Sequence, residues 1–247
     1  MRSYQRFSLE GANFRICSSH VERVKEEIRA QRLSLIHYID RHPNFLESLT
    51  PVQPLPNPPE IVRKMCEASR KVGVGPMASV AGIIAQLAAE AAIQDGAEEA
   101  IVENGGDIFL LSQERVIIGI YAQSPALSGK IAFSISPELT PLAVCSSSSH
   151  MGHSLSFGDC DLATVTAKDA ALADAAATWA CNEVNTPEDV DPTLRKVTSI
   201  GGISGIMIIK DDTIGLAGDL PELIKLDDTS LAEKITIDPG SDHAIRL

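Results

Sequence analysis

The sequence predicts an α+β fold in which antiparallel sheets pack on alanine-rich helices. Two such helices are visible directly, because nine alanines fall between Ala78 and Ala100 and eight between Ala167 and Ala180. Short strands separated by polar turns flank both helices, so the order of elements repeats along the chain. We therefore expect one domain over residues 1–247 with two duplicated halves, at about 1–140 and 141–247.

The composition predicts a closely packed core and excludes some classes of binding partner. Hydrophobic residues make up 44% of the chain but aromatic residues only 4%, so Ala, Val, Ile and Leu must fill the interior. The formal net charge of −12 argues against non-specific binding to nucleic acid or to an anionic membrane. The expected partners are therefore small molecules or other proteins, with no nucleic acid and no membrane.

The cysteines and the apolar segments predict a cytoplasmic protein. The five cysteines lie far apart and form no CxxC pair, which fits a reducing compartment. The first residues lack the long apolar region of a secretory signal. The apolar stretch from Val72 to Ile93 is interrupted by Gly, Pro, Ser and Gln, which favours a buried helix over a membrane span.

The first half is predicted to begin with a hairpin, followed by an amphipathic helix that Ser19 caps. A proline-rich connection at residues 43–59 holds six of the fourteen prolines, and a sharp joint at Gly73–Pro76 separates the next two helices. The strands that follow the helix after this joint are predicted to form an antiparallel meander. The expected helices are His20–Ile39, a helix that begins at Pro59 or Glu60 and runs to Val72, and Met77–Gln94. The expected strands are Tyr4–Leu9, Asn13–Cys17, Glu98–Glu103, Ile108–Leu111, Val116–Ala122 and Lys130–Ser136.

The second half is predicted to repeat this theme. Two strands precede the second alanine-rich helix, a short solvent-facing helix follows it in PEDVDPTLRKVTSI, and further strands complete the half. The expected strands are Leu142–Ser146, Leu162–Ala167, Ser204–Lys210, Thr213–Leu216 and Leu223–Leu226.

The segment Asn104-Gly105-Gly106-Asp107 is the first candidate site. Paired glycines after a strand permit positive φ and leave backbone amides uncovered, so a phosphate or ribose could lie against them, with Asn104 and Asp107 as polar contacts. The alternative is an ordinary turn or β-bulge, in which glycine pairs are common.

The loop from Cys145 to Gly158 is the second candidate. Its serines and two histidines form a donor-rich surface that suits anionic oxygens and acid–base chemistry, although a plain polar loop remains the alternative. His153, between Gly152 and Ser154, is the better candidate site residue, and His150 the better surface histidine. A Cys145–His153 nucleophile pair is weighed against a buried structural cysteine.

The third candidate is Asp174 with Thr178. A spacing of four places the carboxylate and the hydroxyl on one helix face among methyl groups, where an unpartnered carboxylate would be costly. Two hard oxygen ligands fit magnesium or calcium. The alternative is that Asp174 accepts backbone hydrogen bonds from a neighbouring loop.

Three segments together resemble the ApbE superfamily, the FAD:protein FMN transferases, and are most similar to an uncharacterised branch of it. They are GPMASVAGIIAQLAAEAAIQDGAEEAIVENGGDIF, SSSSHMGHSLSFG and LADAAATWACN, in the family's order. The resemblance implies an ApbE-type fold with duplicated T-fold-like halves. It also implies a bound FAD or FMN and a Mg²⁺ ion.

The resemblance also implies roles for individual residues. Magnesium would be held by Asp174, Thr178 and the main-chain carbonyl of Ala78. The implied ligand contacts are Asn104, Gly105, Gly106, Asp107 and Ser149, and the implied catalytic residues are His153, Ser147 and Ser148. The chain departs from the transferases in three places. Ala78-Ser79-Val80 stands where they carry Ala-Lys-Gly, apolar residues such as Ile83 and Ile84 stand where they carry an aspartate, and Ser154 to Gly158 replaces their Asp-Pro segment.

Two functions follow from the sequence. The first is a magnesium-dependent transferase that binds a flavin or another nucleotide diphosphate. The alternative is a small-molecule sensor or carrier that has lost FMN transfer and that could form a homodimer. The departures from the transferase motifs favour this alternative. A third hypothesis is a thiol enzyme that uses Cys145 and His153.

Overall fold

Antiparallel pairing joins eight strands into one large sheet, and three more strands form a second sheet. The computed structural model describes residues 2–122, 130–150 and 157–226. The strands are β1 (Gln5–Leu9), β2 (Ala12–Ser18), β3 (Ala100–Asn104), β4 (Asp107–Leu111), β5 (Val116–Ile120), β6 (Ile131–Ile135), β7 (Leu142–Ser147), β8 (Leu162–Ala167), β9 (Ile203–Lys210), β10 (Thr213–Gly218) and β11 (Glu222–Lys225). The helices are α1 (Val21–Arg41), α2 (Asn44–Glu47), α3 (Glu60–Val72), α4 (Val80–Gln94), α5 (Ala170–Glu183) and α6 (Val190–Thr198).

The large sheet consists of two similar halves. Its strand order is β1-β2-β3-β4-β7-β8-β9-β10, and helices are inserted between β2 and β3 and again between β8 and β9. Each half therefore runs strand, strand, helices, strand, strand. The halves join through β4 and β7, where Phe109 lies opposite Ala143. This arrangement confirms the predicted duplicated α+β fold with antiparallel sheets. The assignment of residues 1–247 to a single domain stays a prediction.

The two faces of the large sheet bury separate apolar cores. One face packs against α1, α3, α4, α5 and α6, and its core contains most of the alanines of α4 and α5. The other face packs against the small sheet through residues such as Leu110, Phe133, Ile135 and Met207. The apolar helix from Pro76 to Gln94 is 67% buried inside the protein, in agreement with the predicted buried helix.

Three local predictions were wrong. The strands after β4 do not form a meander, because β5 and β6 leave the large sheet and pair with β11. Their alternating pattern indicated one buried face but carried no information on which sheet it covers. Ser19 does not cap α1: the N-cap is His20, which has no side-chain cap bond. The proline-rich connection also contains a short helix, α2.

Helices α4 and α5 approach each other most closely at Gly82. A Cβ atom at this position would lie 2.6 Å from the carbonyl oxygen of Ala170 and 3.0 Å from Cβ of Asp174. One turn later, Gln86 accepts a 2.8 Å hydrogen bond from the Ala170 amide, one of the first amides of α5, which have no partner within the helix. The contact therefore requires glycine at position 82.

We expect Gly82→Ala to destabilise the protein by about 1–3 kcal/mol, because the added methyl group has no room against backbone. Helix propensity alone predicts the opposite sign, a gain of about 1 kcal/mol. Urea unfolding followed by circular dichroism measures the difference. Gly201→Ala is the matched control, since its Cβ would meet nothing within 4 Å, and it should change stability by less than about 0.5 kcal/mol. A stabilised Gly82→Ala variant would contradict the close approach.

Candidate functional site

Polar side chains from three elements converge on the first turn of α4. Oδ2 of Asp174, on α5, accepts a 2.9 Å hydrogen bond from the Gly82 amide. Nδ2 of Asn104, at the end of β3, donates to the carbonyl oxygen of Ala81 at 3.1 Å. Asp107, at the start of β4, acts electrostatically on Asp174. The structure therefore brings together the first and third candidate sites, which lie about seventy residues apart in the sequence.

Asp174 occupies the positive end of α4. Its carboxylate accepts from the backbone amides of Ala81 and Gly82, which have no partner within the helix. Asp174 thus accepts backbone hydrogen bonds, as the alternative interpretation expected, but from the first turn of α4 and not from a loop. Burial, and then repulsion from Asp107, nevertheless hold the pKa of Asp174 well above its usual range. The backbone amides therefore offset only part of the cost of burying this charge.

Asp107 is the second buried carboxylate. Its Oδ1 accepts a 3.0 Å hydrogen bond from the Ser146 amide on the neighbouring strand β7, and the nearby Cys145 thiol also favours its charged form. Burial raises the pKa of Asp107 to about 7, against the effects of Ser146 and Cys145, which lower it. Two buried acidic groups thus lie close enough that Asp107 opposes the ionisation of Asp174.

Within the described residues, no lysine or arginine bonds to either carboxylate, and no cation acts on the pKa of either group. Nor do any three His, Cys, Asp or Glu side chains there form a cluster that could hold a metal by themselves. A cation at this site would take its remaining ligands from hydroxyl groups, carbonyl groups, water or a bound phosphate.

The other two residues assigned to the metal flank Asp174. Thr178 lies one helical turn further along α5 on the same face and is 9% exposed. Ala78 lies in a 3₁₀ turn, Pro76–Ser79, that packs against α5 just before α4 begins. In a helix that started earlier, the Gly82 amide would bond to the Ala78 carbonyl, but it donates to Asp174 instead. The role of Thr178 and of the Ala78 carbonyl as metal ligands stays a prediction.

The glycine pair forms a tight hairpin turn. Asn104 lies opposite Asp107 across β3 and β4, and Gly105 and Gly106 have φ of 61° and 107°. The Gly105 amide donates to the carbonyl of Asn13. The interpretation as an ordinary turn is confirmed, and Asn104 ties that turn to α4. Contact of these residues with a ligand stays a prediction.

The serines at the end of β7 differ in their partners. Ser147 is 5% exposed, and its hydroxyl is buried with no hydrogen-bond partner. The hydroxyl of Ser148 accepts from the His150 amide, and that of Ser149 accepts from the Cys160 amide and contacts the Cys181 thiol. Ser147 is therefore the member of this trio whose hydroxyl makes no hydrogen bond within the described part of the chain. His153 lies outside the described residues.

Sequence reasoning missed a charged cluster at the base of this loop. Nε2 of His150 lies 2.9 Å from Oδ1 of Asp159, and Nζ of Lys210 lies 3.1 Å from Oδ2 of Asp159. Asp161 is 7% exposed, and its carboxylate accepts a hydrogen bond from the Asp211 amide. Lys210 lies 51 residues from Asp159 in the sequence, so no local pattern could have indicated that it joins this cluster.

Cys145 is buried, as the structural interpretation predicted. The residue is 0% exposed, and its thiol donates to the carbonyl of Ala170. Burial, followed by repulsion from Asp107 and Asp174, raises the pKa of Cys145 well above its usual value. A nucleophilic cysteine needs the opposite shift, so this geometry argues against a thiol enzyme at Cys145.

Comparison with known proteins identifies the family. The sequence profile of a family described as AbpE bacteria matches residues 13–200. The chain belongs to this family. A UPF0280 protein from Methanosarcina acetivorans is 41% identical over 209 residues, which cover 84% of this chain and 82% of that protein.

Two solved structures have the same fold as this AbpE-family chain. A mutant of the flavin transferase ApbE from Vibrio cholerae gives a TM-score of 0.58 at 13% identity and covers 89% of this chain and 97% of its own. The apo flavinyl transferase ApbE from Pseudomonas stutzeri gives 0.57 at 12% identity, with 88% and 95% covered. The predicted resemblance to the ApbE superfamily is thereby confirmed at the level of fold.

Few rings of this AbpE-family chain are free to stack on a flavin. Phe109 is 3% exposed in the core, and the Trp179 ring is covered by the Lys196 ammonium at 4.3 Å. Phe157 is 66% exposed, and its amide donates to the side chain of Asn182, two turns beyond Asp174 on α5. Phe157 is therefore the exposed ring connected most directly to the helix that carries Asp174.

We expect Asp107→Asn to stabilise the metal-free protein at neutral pH. The folded pKa of Asp107 is about 7 and the unfolded value about 4, so the folded state binds more protons between these values. The stability contributed by the protonated group is therefore present below pH of about 4 and is lost as pH rises to about 7. The asparagine variant, which keeps an acceptor for the Ser146 amide, escapes this loss of about 2–4 kcal/mol.

Urea unfolding in the presence of a chelator across this pH range measures the difference in free energy of unfolding between wild type and Asp107→Asn. This difference should grow as the pH rises. Asp212→Asn, on an exposed turn, is the control and should show no such trend. A stability difference that does not change with pH would mean that Asp107 is not the group that takes up a proton in the folded state.

We expect Ser147→Ala to leave the ligand-free protein as stable as wild type or more stable, by up to about 1 kcal/mol, because it removes an unsatisfied buried hydroxyl. The matched control is Ser69→Ala, since the Ser69 hydroxyl is also buried but donates to the Val74 carbonyl at 2.5 Å. The control should lose about 1 kcal/mol. Thermal melting compares them, and an equal loss in both variants would show that Ser147 has a structural partner.

Proposed function

We propose that this protein is a magnesium-dependent transferase that binds a flavin nucleotide or another nucleotide diphosphate. The observation that carries the proposal is the pair of buried carboxylates, Asp107 and Asp174, which have no cationic partner among the described residues. Ionising both of these buried carboxyl groups is costly, because each loses its hydration and repels the other, and a divalent cation offsets that cost. The fold shared with ApbE flavin transferases supports the choice of ligand class.

The donor set fits magnesium. This ion prefers oxygen ligands, and proteins commonly hold it through one or two carboxylates together with phosphate oxygens of the substrate. Asp174, Thr178 and the Ala78 carbonyl would hold the ion, and Asp107 would add negative charge nearby. When bound, the ion neutralises phosphate charge and stabilises the charge that develops during transfer.

The remaining residues would position the ligand. The Asn104–Asp107 turn would lie against it, and the free hydroxyl of Ser147 would donate to a phosphate oxygen. Ser148, Ser149 and His153 complete the proposed loop, with His153 to orient or deprotonate the acceptor hydroxyl.

A second candidate is a sensor or carrier that binds the same ligand without transferring any group. The start of α4 favours it. Ser79, where the transferases carry lysine, is 0% exposed, and its hydroxyl donates to the Pro76 carbonyl at 2.8 Å. Ile83 and Ile84, which follow in the first turns of α4, are also buried. This end of α4 thus offers apolar groups where a transferase presents a charge.

We also propose that the protein works in the cytoplasm. All five cysteines are free and buried, as expected for a protein that folds in a reducing compartment.

We expect magnesium to raise the melting temperature of the chelator-treated protein, and FAD, FMN or ADP to raise it further only when magnesium is present. Asp174→Asn should lose both responses, because the ion loses a charged ligand. Asp191→Asn, on the exposed side of α6, is the matched control and should respond as wild type does. Unchanged melting of wild type across all combinations, or an undiminished response of Asp174→Asn, would contradict the proposal.

The same preparations separate the two candidates. A transferase incubated with FAD, magnesium and a hydroxyl-bearing peptide cleaves the phosphoanhydride bond, so AMP leaves and FMN is attached to the acceptor oxygen. With wild type we expect AMP in the supernatant, and with Asp174→Asn we expect none. Magnesium-dependent binding without AMP would favour the sensor or carrier.

A further inference from the structure

Strand β10 is an open edge of the large sheet. Within residues 2–122, 130–150 and 157–226, no strand pairs with its outer side. The hairpin to β9 places Thr213 opposite Lys210 across a two-residue turn, so Thr213, Gly215 and Ala217 point their backbone groups toward β9. The amides and carbonyls of Ile214 and Leu216 consequently point outward.

The side chains of β10 make this edge unusually apolar. Ile214 lies opposite Ile209 and Leu216 opposite Met207, both fully buried in the core between the two sheets. Ile214 and Leu216 are themselves 41% and 49% exposed. The apolar layer between the sheets therefore continues to β10 and ends there at the surface.

The opposite edge, β1, shows how a protected edge looks in the same protein. By the same turn geometry Arg6 and Ser8 present the outward backbone groups of β1, and both are exposed. Charged side chains on an edge strand discourage pairing with another chain. From Thr213 to Gly218, β10 has no charged residue, no proline and two exposed aliphatic side chains. Only β1 carries the usual protection.

We propose that two copies of this chain associate through antiparallel pairing of β10 with β10, with the two-fold axis at Leu216. A two-fold interface uses the same patch on both copies, and an antiparallel edge is complementary to itself. The Leu216 side chains of the two copies meet at the axis, and the two inter-sheet cores become continuous.

Charge disfavours the register whose axis lies one residue earlier, at Gly215. With a net charge of −12, the chain gains nothing from general attraction to its own copy. An axis at Gly215 would set Asp211 of each copy opposite Asp219 of the other, and like charges directly opposite are destabilising. An axis at Leu216 sets Thr213 opposite Asp219 and Asp212 opposite Leu220, so no acids face each other.

Light scattering on the full-length protein after size exclusion tests the pairing. We expect wild type to show twice the chain mass of 26.4 kDa and Leu216→Lys to show the single mass. Leu139→Lys is the matched control, because Leu139 is similarly exposed at 41% but lies in the turn before β7. The control should keep the double mass. A monomeric wild type at the highest soluble concentration, or a dimeric Leu216→Lys, would overturn the proposal.

A second variant separates backbone pairing from loss of apolar contact. In Leu216→Pro the outward amide disappears while the bonds from Gly215 and Ala217 to β9 remain, a position where edge strands tolerate proline. We expect the single mass with a near wild-type circular dichroism spectrum. Hydrogen exchange gives the direct signature: in the dimer the Ile214 and Leu216 amides should be protected, and in Leu216→Lys the Ile214 amide should exchange rapidly. Rapid exchange of both amides in a wild-type dimer would place the interface elsewhere.

Discussion

The structure of the site depends on one close approach, that of the first turn of α4 to α5 at Gly82. Backbone and Asp174 can come this near only because position 82 has no side chain and the adjoining faces of α4 and α5 consist largely of alanine. The Gly82 amide then reaches the Asp174 carboxylate, and the Ala170 amide reaches Gln86. The high alanine content is thus more than a means of filling a core without aromatic rings, since it also fixes the position of a buried carboxylate.

A chain selected for stability alone would not place two acids in this space. Asp107 begins β4 directly after a tight hairpin turn, and the backbone of β7 holds its carboxylate near that of Asp174. Alanine-rich packing around them supplies low polarity and no counter-charge. Local departures from consistent packing are expected at functional sites, and the cost is recovered when a ligand binds. The close packing around these two residues stabilises the fold enough to offset the free energy that burying two carboxyl groups costs.

Much of the fold could be predicted because its signals are local. Helix α3 ends where Gly73 adopts φ of 93°, and β8 and α5 have boundaries close to those read from alternation and from alanine content. Asp107 and Asp174 were identified as candidates, but their mutual contact was not, since a strand start and a helix turn far apart in sequence carry no mark of their pairing. The same reason hid the His150–Asp159–Lys210 cluster and the transfer of β5 and β6 to the second sheet.

The substitution of Ser79 for the lysine of the transferases has a consequence for how phosphate could be held. The positive end of α4 would ordinarily attract an anion through its free amides. Here the Ala81 and Gly82 amides are already bonded to Asp174, and the Ser79 hydroxyl is bonded within its own turn. A phosphate group entering this space would therefore meet acidic groups before it met a donor. Under the proposed function, a cation bound between the carboxylates and a phosphate would reverse that repulsion, so the ion would supply the attraction that Ser79 cannot.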